Sequence, residues 1–377
     1  MPIDRRTALI GAGASAISAS EVGAGPPETA TSVSQRLEAA GFAGDLGDKL
    51  EWGIKSGLLR GMHGVVVTRA GKVVFERYLE GEDEAWGVPL GRVLFNANTL
   101  HDIRSVTKSV VSLLYGIALE RGLVPGPDAK LLAQFPEYAD LIDDPQRSAL
   151  TVEHALNMTL GTEWDEQLPY TDPANSEIRM EMAKDRNRFV LDRPIVAAPG
   201  TRWSYNGGCV ALLGHLIARG AKTTLAEFAR TALFQPLGIT AFDWAKGTDG
   251  VESAASGLRM RPRDLARIGD LMLAHGALAD AQIIPRAWLA AIAQPAIPAD
   301  DGLQYSRFWY QSAEPVPGIS QPVSWLAGFG NGGQRLFVMP SLGISVVVTA
   351  GNYNTPYQWV APSRIWREIV LRNLAQP

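Results

Sequence analysis

Two branched runs, Val65-Val66-Val67-Thr68 and Val73-Val74-Phe75, flank Ala70-Gly71-Lys72. Short apolar runs on either side of turn residues predict a β-hairpin, here from His63 to Leu79. From about Ser105 to His275 the rhythm changes. Val110, Leu113, Leu114 and Ile117 recur at helical spacing, as do Leu212, Leu213, Leu216 and Ile217, and then Leu265, Ile268, Leu271 and Met272. That recurrence predicts helices with a buried face. The last third returns to strand patterning in Phe308 to Gln311, Gln334 to Met339 and Ile344 to Ala350, with Pro340-Ser341-Leu342-Gly343 turning the last two into a hairpin. A closing helix is expected from about Pro362 to Leu374. Strands at both ends with helices between them predict an α+β fold. One mixed lobe comes from about residues 27–104 and 277–377, and a mainly helical lobe, about 105–276, is inserted into it. The cleft between two such lobes is a natural place for a site.

The first residues carry a different pattern. Arg5 and Arg6 precede Thr7 to Ser20, a stretch of small and apolar residues without a charge. Residues 1–26 therefore read as an export signal of the twin-arginine type, with Val22 and Ala24 suited to cleavage before Pro26, although Asp4 stands where a hydroxyl residue is often found. The alternative is an Ala/Gly-rich terminus of a cytoplasmic protein. With export, the expected location is the periplasm or the outside of the cell. No uncharged apolar run approaches the roughly 18 residues of a membrane span, so an integral membrane protein is not indicated.

Composition narrows the partners. The 377 residues include 39 acidic and 35 basic side chains, and the basic ones are scattered rather than gathered into a stripe. Nucleic acid is therefore not expected as a partner. Cys209 is the single cysteine, which excludes an intrachain disulfide and any multi-cysteine metal site. It lies near the start of an apolar helix and reads as a buried thiol rather than a nucleophile.

The sharpest local feature is Ser105-Val106-Thr107-Lys108, where a non-helical approach, Leu100 to Arg104, enters a helix. A spacing of three puts both side chains on one helical face. The serine N–H then lies at a helix N-terminus, where unpaired donors favour a developing oxyanion. A serine hydroxyl needs an adjacent base, and a lysine serves as one when burial or nearby cations depress its pKa. A Ser-x-x-Lys arises by chance about once in a chain of this length, so its context decides: a polar approach, then the apolar helix Ser109 to Leu119.

Ile103-Arg104-Ser105-Val106-Thr107-Lys108-Ser109 resembles the active-site helix start of serine β-lactamases, DD-peptidases and related esterases and amidases. Leu150 to Gly161 is similar to the segment that packs beneath the site in that superfamily. Ala198-Pro199-Gly200-Thr201-Arg202-Trp203-Ser204-Tyr205-Asn206-Gly207-Gly208 resembles the loop that bears its second motif. The resemblance covers nearly all of the chain after the signal and implies a β-lactamase/transpeptidase-like fold, an antiparallel sheet flanked by helices. It also implies that Tyr205 relays a proton between nucleophile, lysine and leaving group, with a phenol pKa lowered by Lys108. The usual second motif is Tyr-x-Asn. Here Gly207 stands at the third place, and Asn206 is a weaker candidate. The third motif, usually Lys- or His-x-Gly on an edge strand, is best matched by Asn331-Gly332-Gly333-Gln334, with the Gln334 N–H as second oxyanion donor. Asn331 is neutral, so a cationic anchor for a substrate carboxylate is missing at that place. Trp164, Asp165 and Tyr170 are further candidates to line the cleft.

Competing chemistries find less support. No Gly-x-Ser-x-Gly elbow occurs, and Gly11-Ala12-Gly13 follows no strand. His63, His101, His154, His215 and His275 form no metal-spaced pair and read as structural. Neither a metal nor an organic cofactor is implied. The leading expectation is hydrolysis of a small amide or ester substrate through a Ser105 acyl-enzyme, with a Tyr-Asn-Gly-Gly segment resembling the 6-aminohexanoate-oligomer hydrolases. A β-lactamase or D-Ala-D-Ala carboxypeptidase is the second enzyme reading. A non-catalytic peptidoglycan sensor or binding module is the reading from another class.

Overall fold

The structure is a computed structural model that describes residues 30–295 and 297–375; the expected export signal, 1–26, lies outside the described residues. Its centre is an eight-stranded antiparallel sheet. The strands are β1 (Met62–Arg69), β2 (Lys72–Tyr78), β3 (Ile297–Pro298), β4 (Gln304–Ser306), β5 (Trp309–Glu314), β6 (Val323–Gly330), β7 (Gln334–Met339) and β8 (Ile344–Ala350). They lie side by side in the order β3-β4-β5-β6-β7-β8-β1-β2. The two ends of the chain meet where β1 pairs with β8, Val66 opposite Val347.

Side chains alternate across a strand, so a branched run buried on both faces needs cover on both sides. Val66, Leu336, Val338 and Val347 face the helical part of the molecule. Their neighbours Val65, Val67, Phe337, Met339, Val346 and Val348 face a layer built from Ala30–Ala39, Leu46–Lys55 and the helical turns between Val360 and Asn373.

Four helices matter for the site: α1 (Val106–Glu120), α2 (Ser176–Glu181), α3 (Gly207–Ala221) and α4 (Pro262–Leu273). Every side chain of α1 from Val106 to Ala118 is buried. It packs against β6 on one side and α3 on the other. The approach to α1 is held by a small sheet in which His101–Asp102 pairs with Leu258–Met260, itself paired with Phe242–Trp244. Sequence periodicity misses these strands because each is only two or three residues long.

Two strand expectations shift. Phe308 belongs to a turn rather than a strand: Arg307 and Phe308 have φ of 47° and 66°, and Ser306 pairs with Trp309 across them. Two central residues at positive φ make the hairpin turn that matches strand twist, yet Arg-Phe carries no turn signal. Strand β6 was not expected: its sequence, Val323 to Gly330, carries glycines and no branched run. Those glycines let it approach α1. A Cβ at Gly328 would meet Ser109 Oγ at 2.8 Å and a Val106 methyl at 3.0 Å, and one at Gly330 would meet the Ile103 carbonyl and Arg104 Cβ.

Gly328→Ala therefore forces β6 and α1 apart. We expect a loss of about 1–3 kcal/mol, typical of overpacking a close contact, read as a lower denaturation midpoint in urea.

Candidate active site

Ser105 is the residue before α1 and sits in a helical conformation (φ −67°, ψ −4°). Arg104, just before it, has φ 48°, a conformation that costs a non-glycine residue about 1–3 kcal/mol. Its guanidinium pairs with Glu84, lies 3.3 Å from Asp102 and stacks over the Tyr353 ring at 4.9 Å. The N–H groups of Val106, Thr107 and Lys108 bond back to the carbonyls of Ile103, Arg104 and Ser105, and among the described residues the Ser105 N–H has no backbone partner.

Lys108 follows one turn later and is 1% exposed. Its Nζ lies 3.1 Å from Ser105 Oγ, 3.1 Å from Glu177 Oε2 and 3.0 Å from the Ala255 carbonyl. Glu166 Oε2 is 4.0 Å away, and the Tyr205 ring centroid 4.8 Å. Tyr205 lies close enough to Ser105 for that side chain to act on its phenol. The spacing of three and the second-motif tyrosine thus converge on one hydroxyl.

The electrostatics differ from expectation. Burial alone would lower the Lys108 pKa, but Glu177, Tyr205 and Glu166 together hold the ammonium, and the net direction is up. Burial also raises Tyr205, and the opposing pull of Lys108 does not reverse it. Both groups were expected to move down. The difference comes from two carboxylates that no motif announced. Glu166 takes N–H bonds from Trp164, at 2.6 Å, and from Gly207, and its Oε2 accepts from the Tyr170 hydroxyl at 3.2 Å. Burial, then the neighbouring Glu177, push its carboxyl up to about 8.

Two cavities, of about 410 and 570 Å³, meet at Ser105. Tyr170 and Asn331 line both, and Tyr205 lines the larger one with Trp203, Tyr310 and Phe329. The other expected site residues lie elsewhere. Gln334 is 0% exposed, its side-chain amide bonded to both backbone groups of Ala350, and it pairs with Gly330 rather than facing Ser105. The strand beside α1 is β6, so its end, at Gly330 and Asn331, is the edge that Ser105 faces. Gly333 is a turn glycine packed against the Gln358 carbonyl. Asn206 caps α3 by accepting from the Cys209 N–H at 3.3 Å. Trp164 supports Glu166 from beneath, and Asp165 accepts from the Gln167 N–H in its own loop.

Sequence reasoning also missed a cation. Arg335, on β7, is 7% exposed and lines the larger cavity. Its Nη1 donates to the carbonyls of Gly330 and Gln334, and its guanidinium lies 4.4 Å from the Phe329 ring centroid. Among the described residues it has no carboxylate partner, and burial lowers its pKa to about 10. An arginine at the start of a strand carries no sequence signal of such a place.

Residues 54–364 match the β-lactamase family profile. The chain belongs to the β-lactamase family. Lovastatin esterase of Penicillium rubens is 30% identical over 116 residues, a stretch that is 29% of this chain and 28% of the esterase. Among solved structures, a candidate 6-aminohexanoate-dimer hydrolase from Bacillus anthracis superposes with TM-score 0.66 at 19% identity, over 84% of this chain and 80% of that one. A class C β-lactamase from Rhodobacter sphaeroides gives 0.61 at 19%, over 85% and 97%. A D-alanine carboxypeptidase from Burkholderia cenocepacia gives 0.59 at 19%, over 88% and 99%. At these identities the superpositions establish the shared fold.

This family member also holds a buried cluster of potential metal ligands: His63, Asp83 and His101 bring ligand atoms within 4.8 Å of one another. Its bonding fits a hydrogen-bond network better. His101 Nδ1 is 2.8 Å from the Asp102 carbonyl and so carries its proton there, which leaves Nε2 to accept from His63 Nδ1 at 2.9 Å. Tyr353 donates to Asp83 at 2.9 Å, and Arg259 approaches Asp83 at 3.7 Å.

Burial, then His101, lower His63 to about 3; burial, against the opposing Asp102 carbonyl and with Arg259 and Arg104, lowers His101 to about 4. The unfolded chain takes up these protons near pH 6.5, so between about 6.5 and 4 it binds more protons than the fold and stability falls as pH falls. For His101 the effect is roughly 3 kcal/mol. Urea denaturation from pH 7 to 4.5 should show that slope, and it should flatten in His101→Asn.

Proposed function

We propose that this chain is a serine hydrolase that cleaves a small amide or ester substrate through a Ser105 acyl-enzyme, with Lys108 and Tyr205 handling the proton. The observation that carries the reading is the Ser105 hydroxyl 3.1 Å from Lys108 Nζ, with the Tyr205 ring beside that lysine, where two cavities meet. A substrate laid across that junction places its acyl part in one cavity and its leaving group in the other. Ser105 Oγ attacks the carbonyl carbon as its proton moves toward Lys108. The oxyanion forms against the Ser105 N–H and the N–H of Asn331 at the end of β6, the edge that replaces Gln334 in this role. Tyr205 then delivers a proton to the departing atom, and water releases the acyl group. Intact mass of the purified protein after incubation with a fluorophosphonate tests the reading. A single adduct that disappears in Ser105→Ala is the expected result, and an unlabelled wild-type protein would favour the sensor or binding-module reading.

Arg335 favours a second reading within the same chemistry. A buried guanidinium without a carboxylate partner in the larger cavity suits a substrate carboxylate, the group that β-lactams and D-Ala-D-Ala peptides present. If it has that role, Arg335→Ala raises KM for an anionic ester, such as a succinate monoester, about tenfold or more relative to its neutral methyl counterpart. Equal effects on both would restrict Arg335 to tying the β6-β7 turn.

A further inference from the structure

An ammonium group has three N–H donors and no lone pair. The three acceptors around Lys108 Nζ, namely Ser105 Oγ, Glu177 Oε2 and the Ala255 carbonyl, use all of them. In this state the nitrogen has nothing with which to accept the serine proton, so it becomes a base only by passing a proton on. A backbone carbonyl is too weak a base to take it, and the serine is the donor in question. The remaining acceptor is the Glu177 carboxylate.

A second observation singles out the same residue. Position 207, where the resembling family's second motif carries asparagine, is glycine. A Cβ there would meet Glu177 Oε2 at 2.5 Å and Glu166 Oε1 at 2.8 Å. The volume of the missing amide is thus filled by carboxylate. Glu177 is fixed there by the first turn of α2, whose cap, Asn175 Oδ1, accepts from the Glu177 N–H at 2.9 Å. Glu166 is less suited to the task. It lies farther from Nζ and already accepts from Trp164, Gly207 and Tyr170.

We propose that Glu177 takes up the Lys108 proton during acylation and so lets the lysine act as base, in the space that an asparagine fills elsewhere. The inference rests on the acyl-enzyme reading above. As Ser105 Oγ bonds to the carbonyl carbon, the carbonyl π pair moves to oxygen, the Oγ proton passes to Nζ, and one Nζ proton passes to Glu177 Oε2. Lys108 keeps its charge, Glu177 becomes neutral and the negative charge resides on the oxyanion. On collapse the bond to the leaving group breaks, Tyr205 gives that group its proton and regains one from Lys108, and Glu177 returns its proton to the lysine. Glu177 touches Lys108 and not the nucleophile, so it is a positioning residue that also stores a proton. The charged and titratable groups facing it are Lys108 on α1, Glu166 and Tyr170 from the preceding loop, Glu181 on α2 and Tyr205 before α3.

The test compares wild type, Glu177→Gln, Glu177→Asp and Glu177→Ala in fluorophosphonate labelling rate and p-nitrophenyl butyrate hydrolysis, with thermal melting as a control for folding. Glu177→Gln keeps a hydrogen-bond acceptor for Nζ but stores no proton, and its kcat/KM should fall about 100-fold or more. Glu177→Asp should recover most of that loss. Glu177→Ala opens its place to the smaller cavity, so added formate should restore roughly tenfold while formamide does not. If Glu177→Gln does not fold, the formate and formamide comparison on the alanine variant decides. A Glu177→Gln rate within about threefold of wild type, or equal rescue by formamide, overturns the proposal alone. A wild-type protein that the fluorophosphonate does not label overturns the acyl-enzyme reading and this proposal with it.

Discussion

A lysine ammonium shut away from water must find a partner for every N–H, or the loss of hydration exceeds what the fold can supply. Much of the site follows from that requirement at Lys108. The helix that carries it is buried from Val106 to Ala118, so no solvent reaches the nitrogen from its own side. Its acceptors must come from elsewhere in the chain: Glu177 from α2, the Ala255 carbonyl from the link between two strands of the small sheet, and Ser105 from the preceding turn. Gly207 is part of the same arrangement, because any larger residue would displace the carboxylates. A second carboxyl, Glu166, is buried nearby on donors from Trp164, Gly207 and Tyr170, and burial raises its pKa.

The sheet delivers the other half of the site. Strand β6 lies against α1 only because Gly328 and Gly330 have no side chains to hold it off, and that closeness sets the edge opposite Ser105. The turn before α1 is strained at Arg104, and the strain is held by Glu84, Asp102 and Tyr353. Behind them the His63–His101 pair joins β1 to the same turn. Ser105 is therefore positioned by contacts from both faces of the cleft rather than by its helix alone.

Part of this was legible in the sequence, and the reason is locality. Ser105 and Lys108 share a helical face because of a spacing of three, and the β1-β2 and β7-β8 hairpins follow from branched runs beside turn residues. Tyr205 was found through the loop motif around it. Strand β6 was not, since it has no branched run and its glycines acquire a reason only once α1 is seen packed on them. Gln334 was placed at the oxyanion because it follows a Gly-Gly pair, yet pairing with Gly330 turns it into the core. Asn206 looked like a displaced motif residue and is a helix cap.

What the sequence by itself determined is whatever depends on neighbours within a few positions: the helix and hairpin periods, the pairing of Ser105 with Lys108, and membership in a fold whose landmarks keep their order. Tertiary structure alone decided the charge state of the site. Glu166 and Glu177 lie 58 and 69 positions beyond Lys108, and Arg335 is further still. Whether a lysine rests as amine or ammonium depends on the carboxylates within a few ångströms and the water excluded around them. Those quantities fall off with distance in space, and no local pattern in the chain records them.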